Sequence, residues 1–150
     1  MSRLKQQLYQ QCINYVQQRM DAAQQGIAAA QQASQDDTKS SAGDKYETGR
    51  EMAQQETDRN MAQLNEANKL KVALNQINPS LTNDRVETGS VVITDTANFY
   101  VSISAGAISA EGETYMAISP VSPIGIKMKG LRIGEKFNLN DKVYKIKRIL

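Results

Sequence analysis

From Leu4 to Gln35 an apolar residue returns every three or four positions: Leu4, Leu8, Cys12, Val16, Met20, Ala23, Ile27 and Ala30, with Ser34 closing the series. That period predicts one amphipathic helix, because positions three and four apart share a helical face. The positions between them are mostly Gln and charged residues, good helix formers for a wet face. At about 1.5 Å rise per residue, some 32 residues reach about 48 Å, longer than a small domain needs for packing alone. A second segment of similar length runs from Tyr46 to Ile77, with Met61, Leu64, Ala67, Leu70, Leu74 and Ile77 as its stripe, and it stops just before Pro79. Two matched stripes joined by the short polar stretch Asp36 to Gly43 predict an antiparallel hairpin in which each apolar face covers the other within one chain. The expected molecule is therefore a monomer.

After Asn78-Pro79 the texture changes to β-branched and aromatic runs broken by Gly and Pro. SVVITDT, NFYVSISA, TYMAIS, EKFNLND and KVYKIKRIL are five strand candidates, with turns at Asn98, Gly112, Gly134 and Asn140-Asp141. The expected class is α+β: a coiled-coil hairpin over residues 1–78, then a small β-rich domain over 79–150. With two Phe, six Tyr and no Trp, the chain lacks material for one large core.

Several chemistries are excluded by what the chain does not contain. It has no histidine, which removes the commonest general base and any His-ligated metal site. Cys12 is the one cysteine, so no intramolecular disulfide can form, and its place on the first stripe predicts a buried thiol. The opening MSRLKQQLYQ lacks the apolar run of a signal peptide, and 18 consecutive apolar residues occur nowhere, so the expected compartment is the cytoplasm with no membrane partner.

Charge is spread unevenly. Residues 1–78 carry nine basic and nine acidic side chains, so the net +2 arises in residues 79–150. Within residues 127–148, Lys127, Lys129, Arg132, Lys136, Lys142, Lys145, Lys147 and Arg148 stand against Glu135 and Asp141. The run reads either as solvated strand and loop lysines or as a docking patch for an acidic protein or a nucleic-acid backbone.

Two short stretches carry a family resemblance. ISPVSPIGIKMKGLRIGEKF, Ile118 to Phe137, contains Ser119-Pro120, Ser122-Pro123 and Ile124-Gly125, followed by Gly130 and Gly134-Glu135. GDKYE presents Gly43, Asp44 and Glu47 between the two helical stripes. Together with the hairpin and the β-rich end, these resemble the bacterial Gre-type transcript-cleavage factors, GreA/GreB-like. That family has a C-terminal Ser-Pro-x-Ser-Pro-(aliphatic)-Gly element before a short helix, and Gly-Asp-x-x-Glu at its hairpin tip. The chain departs from the family in Thr48, Gly49, Arg50 and Glu51 after the glutamate, where Asn-Ala-Glu-Tyr is usual, and in placing Tyr46 before it.

The resemblance implies an FKBP-like C-terminal domain that docks on RNA polymerase through Ser119, Pro120, Ser122, Pro123, Ile124, Gly125, Lys127 and Lys129. It implies a hairpin that enters the polymerase's secondary channel. There Asp44 and Glu47 would help the polymerase's own site hold a shared Mg²⁺ and a water, so that backtracked RNA is cut; contact with the nascent RNA 3′ end would be indirect. The chain would then be an accessory factor, not an enzyme. Two carboxylates suit that role, since Mg²⁺ usually takes one or two protein carboxylates and leaves its other positions to water and phosphate.

Other readings stand beside this one. Asp-x-x-Glu is also a capping-box pattern, and Asp36 and Asp37 are rival acids across the same loop. A regulator that docks in the channel without supporting cleavage would carry the same architecture. A coiled-coil adaptor would explain the helices alone. A prolyl isomerase would need a deep aromatic pocket, for which Phe99, Tyr100, Tyr115, Phe137 and Tyr144 are too few and too suited to a core.

Overall fold

The computed structural model describes residues 3–37 and 43–150, and the side chains of 3–34 and 49–150. Two long helices come first, α1 (Arg3–Asp37) and α2 (Gly43–Asn75). Strands β1 (Val91–Thr94), β2 (Asn98–Val101), β3 (Gly106–Ala110) and β4 (Glu113–Ile118) follow, then helix α3 (Pro123–Met128), β5 (Lys136–Leu139) and β6 (Lys142–Ile149). No helix among the described residues is long and apolar enough to cross a membrane.

The chain divides into two compact units, one of residues 1–15 with 71–150 and the other of 16–70. The change of texture at Asn78-Pro79 falls inside the first of these. The two helices run antiparallel: Arg19 donates to Gln63 in the second unit, and the Tyr9 hydroxyl donates to the Leu74 carbonyl in the first.

In the first unit the sheet is six-stranded and mixed, in the order β3-β4-β2-β1-β6-β5. β2 and β4 are parallel, and every other neighbouring pair is antiparallel. Alternation along the strands separates two faces. On one face Val92, Phe99, Val101, Phe137, Ile146 and Ile149 close over Met128 of α3 and Val86. Within that core the Phe137 and Tyr144 rings stack at 5.0 Å, and Phe99 meets both edge-on. On the other face Ser102 meets Cys12 of α1, and Tyr100 is buried beside Cys12 and Tyr9.

Five strands were expected and six form. The sixth, β3, is the run GAISA, whose small residues carry little strand signal. It is held by pairing along its whole length with β4, through a turn at Glu111-Gly112. Both turn residues have positive φ, 52° and 80°, the hand that matches twisted antiparallel strands. Asn140-Asp141, at 52° and 65°, makes the same kind of connection between β5 and β6, as expected. Asn98 is not a turn but the first residue of β2. The chain reverses instead at Asp95-Thr96, where the Thr94 hydroxyl accepts from the Thr96 and Ala97 amides and donates to the Ala97 carbonyl.

The helical stripes are where the sequence places them, with two shifts. Leu8, Cys12, Val16, Ala23 and Ala30 are buried on α1, but Lys5 rather than Leu4 begins the series, only 2 % exposed. Lys5 lies three residues before Leu8 on the same face. Its stem covers apolar surface while Nζ donates to the Leu81 carbonyl at 2.6 Å, and burial holds its ammonium below the ordinary lysine pKa. On α2 the buried line runs through Ala53, Ala67 and Leu74, with half-buried Asn60 completing the sevenfold spacing, so Met61 is left 50 % exposed.

In the second unit the contact surface is made of small residues, and the helices approach closely. A methyl group on Gly26 would fall 2.3 Å from Oδ1 of Asn60, whose Nδ2 donates to the Glu56 carbonyl.

Candidate functional site

The Ser-Pro-Val-Ser-Pro-Ile-Gly element forms a turn that builds its own helix start. β4 ends at Ile118, and the Ser119 carbonyl accepts from both the amide and the hydroxyl of Ser122, at 3.1 and 2.6 Å. The Ser119 hydroxyl accepts from the Val121 amide. Ser122 then caps α3, its Oγ accepting from the Gly125 amide at 3.1 Å, and Pro123 takes the first helical position, where a missing N–H costs nothing. Gly125 is buried against the turn: a Cβ there would lie 2.3 Å from the Ser119 carbonyl oxygen. Ile124 is partly buried against the core, and Gly130, at φ 80°, sends its amide to the Val86 carbonyl.

What remains outside is apolar and basic. Val121 is 77 % exposed and Ile126 62 %, with Lys127 and Lys129 exposed beside them. A cavity of about 200 Å³ opens here, lined by Val86, Glu87, Thr88, Pro120, Val121 and Lys129. Of the residues expected to dock a partner, Gly125 and Ile124 thus shape the element from inside. Pro120, Pro123, Lys127 and Lys129 offer surface, and Ser119 and Ser122 hold the turn. The signal missed from sequence is Val121 and Ile126, two aliphatic side chains that alternate with the anchoring ones.

The tip acids fall at the loop end of the helix pair. Asp36 and Asp37 close α1 rather than lying in the connection, and α2 opens at Gly43, so Asp44 and Glu47 are its second and fifth residues. The side chains of all four lie outside the described residues. The donor chemistry of Asp44 and Glu47 suits a shared Mg²⁺ and is too sparse for a solitary one.

The basic run is not one surface. Lys127 and Lys129 belong to the α3 side of the sheet. Lys136, Lys145 and Lys147 alternate with Phe137, Tyr144 and Ile146 and stand on the opposite face. Arg132 pairs through its backbone with Arg85.

Cys12 is fully buried, its Sγ 3.6 Å from the Ser102 hydroxyl, and burial pushes the thiol above its ordinary pKa, as suits a core residue. The Tyr100 hydroxyl is buried without a hydrogen-bond partner among the described residues, and burial drives its pKa far up. The aromatics Phe99, Phe137, Tyr100 and Tyr115 are buried in the core rather than lining a pocket.

Comparison with family models, with curated proteins and with solved structures finds no match to this chain.

Proposed function

We propose that the protein is a Gre-type accessory factor of RNA polymerase. Its C-terminal FKBP-like part docks through Val121, Ile126, Lys127 and Lys129 around the Ser119–Gly125 turn. Its hairpin enters the secondary channel and presents Asp44 and Glu47 to the polymerase's active centre. The observation that carries this reading is the antiparallel pairing of α1 and α2, which by connectivity brings Asp44 and Glu47 to the loop end of a long helix pair. A carboxylate pair at such an end is poorly placed to make a pocket of its own. It is well placed to complete another protein's site.

In that role Asp44 and Glu47 would hold Mg²⁺ together with the polymerase's own ligands, and the metal would activate water for hydrolysis of a backtracked RNA. The contribution of this chain is charge and position. Two aliphatic anchors beside two lysines supply apolar burial and charge steering for docking.

The test uses the full chain and stalled backtracked elongation complexes. Asn and Gln are the neutral, near-isosteric counterparts of Asp and Glu with similar helix propensities, so Asp44→Asn with Glu47→Gln preserves helix α2 while removing both negative charges. Wild type is expected to bind and to stimulate cleavage, and the double variant to bind equally and leave the factor-free rate. Charge reversal at Lys127 and Lys129 should weaken binding in a salt-sensitive way. A wild-type chain that binds without stimulating cleavage would be the non-cleaving regulator. One that does not bind the polymerase at all would overturn the reading.

A further inference from the structure

The β5–β6 hairpin sets like charges against each other. Lys136 lies directly across from Lys145. The Lys145 amide donates to the Asp95 carboxylate, and its carbonyl accepts from the Asp95 amide, so its backbone groups face away from β5. Lys136 and Lys145 are therefore a non-hydrogen-bonded pair, the arrangement that brings opposed side chains closest. Lys147 follows two positions on, about 6.6 Å further along the same face. All three are exposed, and among the described residues none is in a salt bridge.

Asp95 lies beside this face. Its pKa is lowered, chiefly by the Lys145 amide and also by the Lys147 charge, so it is ionised and already bound to backbone. Three ammonium groups thus gather on one face, and the Asp95 carboxylate beside them is already engaged by backbone. Opposed like charges weaken a strand pair, so this arrangement is unfavourable for the isolated domain and is relieved by a polyanion. The rest of the face is Asn138 and Val143, which pair with each other across the strands.

We propose that this face of β5–β6 binds the phosphate backbone of double-stranded DNA, through Lys136, Lys145 and Lys147 and without reading sequence. Lysine engages phosphate as a point charge and does not need the planar carboxylate geometry that favours arginine. Single strands are held by stacking bases on aromatic rings. Here the hairpin's aromatics, Phe137 and Tyr144, belong to the core on the other side. The inference does not depend on docking to a polymerase.

The test is fluorescence anisotropy of the full chain with a labelled duplex of about 20 base pairs, in 50 to 200 mM salt. Three phosphate contacts give a slope of log K against log[salt] near −2.7, so affinity should fall about 40-fold over that range. Lys136→Gln with Lys145→Gln and Lys147→Gln should abolish binding and the slope, while Lys69→Gln, an exposed lysine on α2, leaves both unchanged. The matching triple Arg variant, which keeps the charge, should retain binding and separates loss of charge from loss of fold. No binding by wild type at 50 mM salt would overturn the proposal. So would an undiminished Gln variant, a single strand bound more tightly than the duplex, or binding confined to an acidic peptide.

Discussion

Replacing Gly125 by alanine tests whether the Ser119–Gly125 turn is as tightly built as its hydrogen bonds indicate. The added Cβ would lie 2.3 Å from the Ser119 carbonyl oxygen and 3.0 Å from two Pro120 backbone atoms. Ordinary contact begins near 3.4 Å, so the turn must retreat by about 1 Å, and no side-chain rotation can relieve a clash with backbone. Overpacking of this kind costs about 1–3 kcal/mol. Loosening the two bonds from Ser122 to the Ser119 carbonyl adds about 1 kcal/mol for each one lost. Against this, alanine gains about 1 kcal/mol over glycine inside a helix. The net is about 2–3 kcal/mol of destabilisation, or roughly 5–10 °C in melting temperature for a chain of this size. Near-ultraviolet circular dichroism follows the change, because Tyr100 and Tyr115 are buried in the sheet. Gly130→Ala is the control: at φ 80° with nothing within 4 Å it meets only the left-handed backbone penalty of about 1–2 kcal/mol. A Gly125→Ala protein that melts at or above the wild-type temperature would refute the reasoning.

Two further outcomes are expected. Tyr100→Phe removes a buried hydroxyl that has no partner among the described residues, so it should raise stability by about 1 kcal/mol in urea unfolding, and a loss of similar size would show that the hydroxyl is satisfied by bound water. The folded pKa values of Cys12 and Tyr100 lie above their ordinary 9.0 and 10.0. The unfolded chain therefore releases these protons first, and the stability they contribute, intact below about pH 9, is lost as pH rises towards the folded values. Tyr100→Phe should flatten the part of that loss above pH 10 in a melting series, and an unchanged alkaline limb would contradict the burial. Ala30 and Ala53 line one cavity between α1 and α2, so cysteines at both, in a Cys12→Ser background, should cross-link within one chain. Cross-linked dimers on a denaturing gel would instead mean that the helices pair between chains.

Much of the architecture was legible because it is local. A period of 3.6 and the stop before Pro79 foretell α1 and α2 to within a few residues at each end, since helix-forming residues and solvated polar faces act within one turn of the chain. Asn140-Asp141 gave its hairpin by the same logic, because few residues tolerate two successive positive φ angles. The Ser-Pro-Val-Ser-Pro-Ile-Gly element showed itself as a motif, although its backbone role, with Ser122 capping and Gly125 admitting the Ser119 carbonyl, needed the turn to be seen. For the proposed site, Asp44 and Glu47 were legible as residue types, and the structure adds that they lie near the start of α2.

The remainder depends on partners distant in sequence. β3 is a strand because β4 lies beside it, not because Gly-Ala-Ile-Ser-Ala favours one. Asn60 rather than Met61 faces α1 because Gly26 leaves room there for a polar side chain, and Lys5 is buried because the Leu81 carbonyl is within its reach. The basic run is continuous in the sequence and is divided by the pleat, which sends Lys136, Lys145 and Lys147 to the face opposite Phe137 and Tyr144. Hydrophobic period and turn chemistry are properties of neighbouring residues, so the sequence by itself determined the helices, most of the turns and most of the strands, while the turn expected at Asn98 lies instead at Asp95-Thr96. Burial, register and opposed charge are properties of pairs brought together by folding, and the tertiary structure alone decided them.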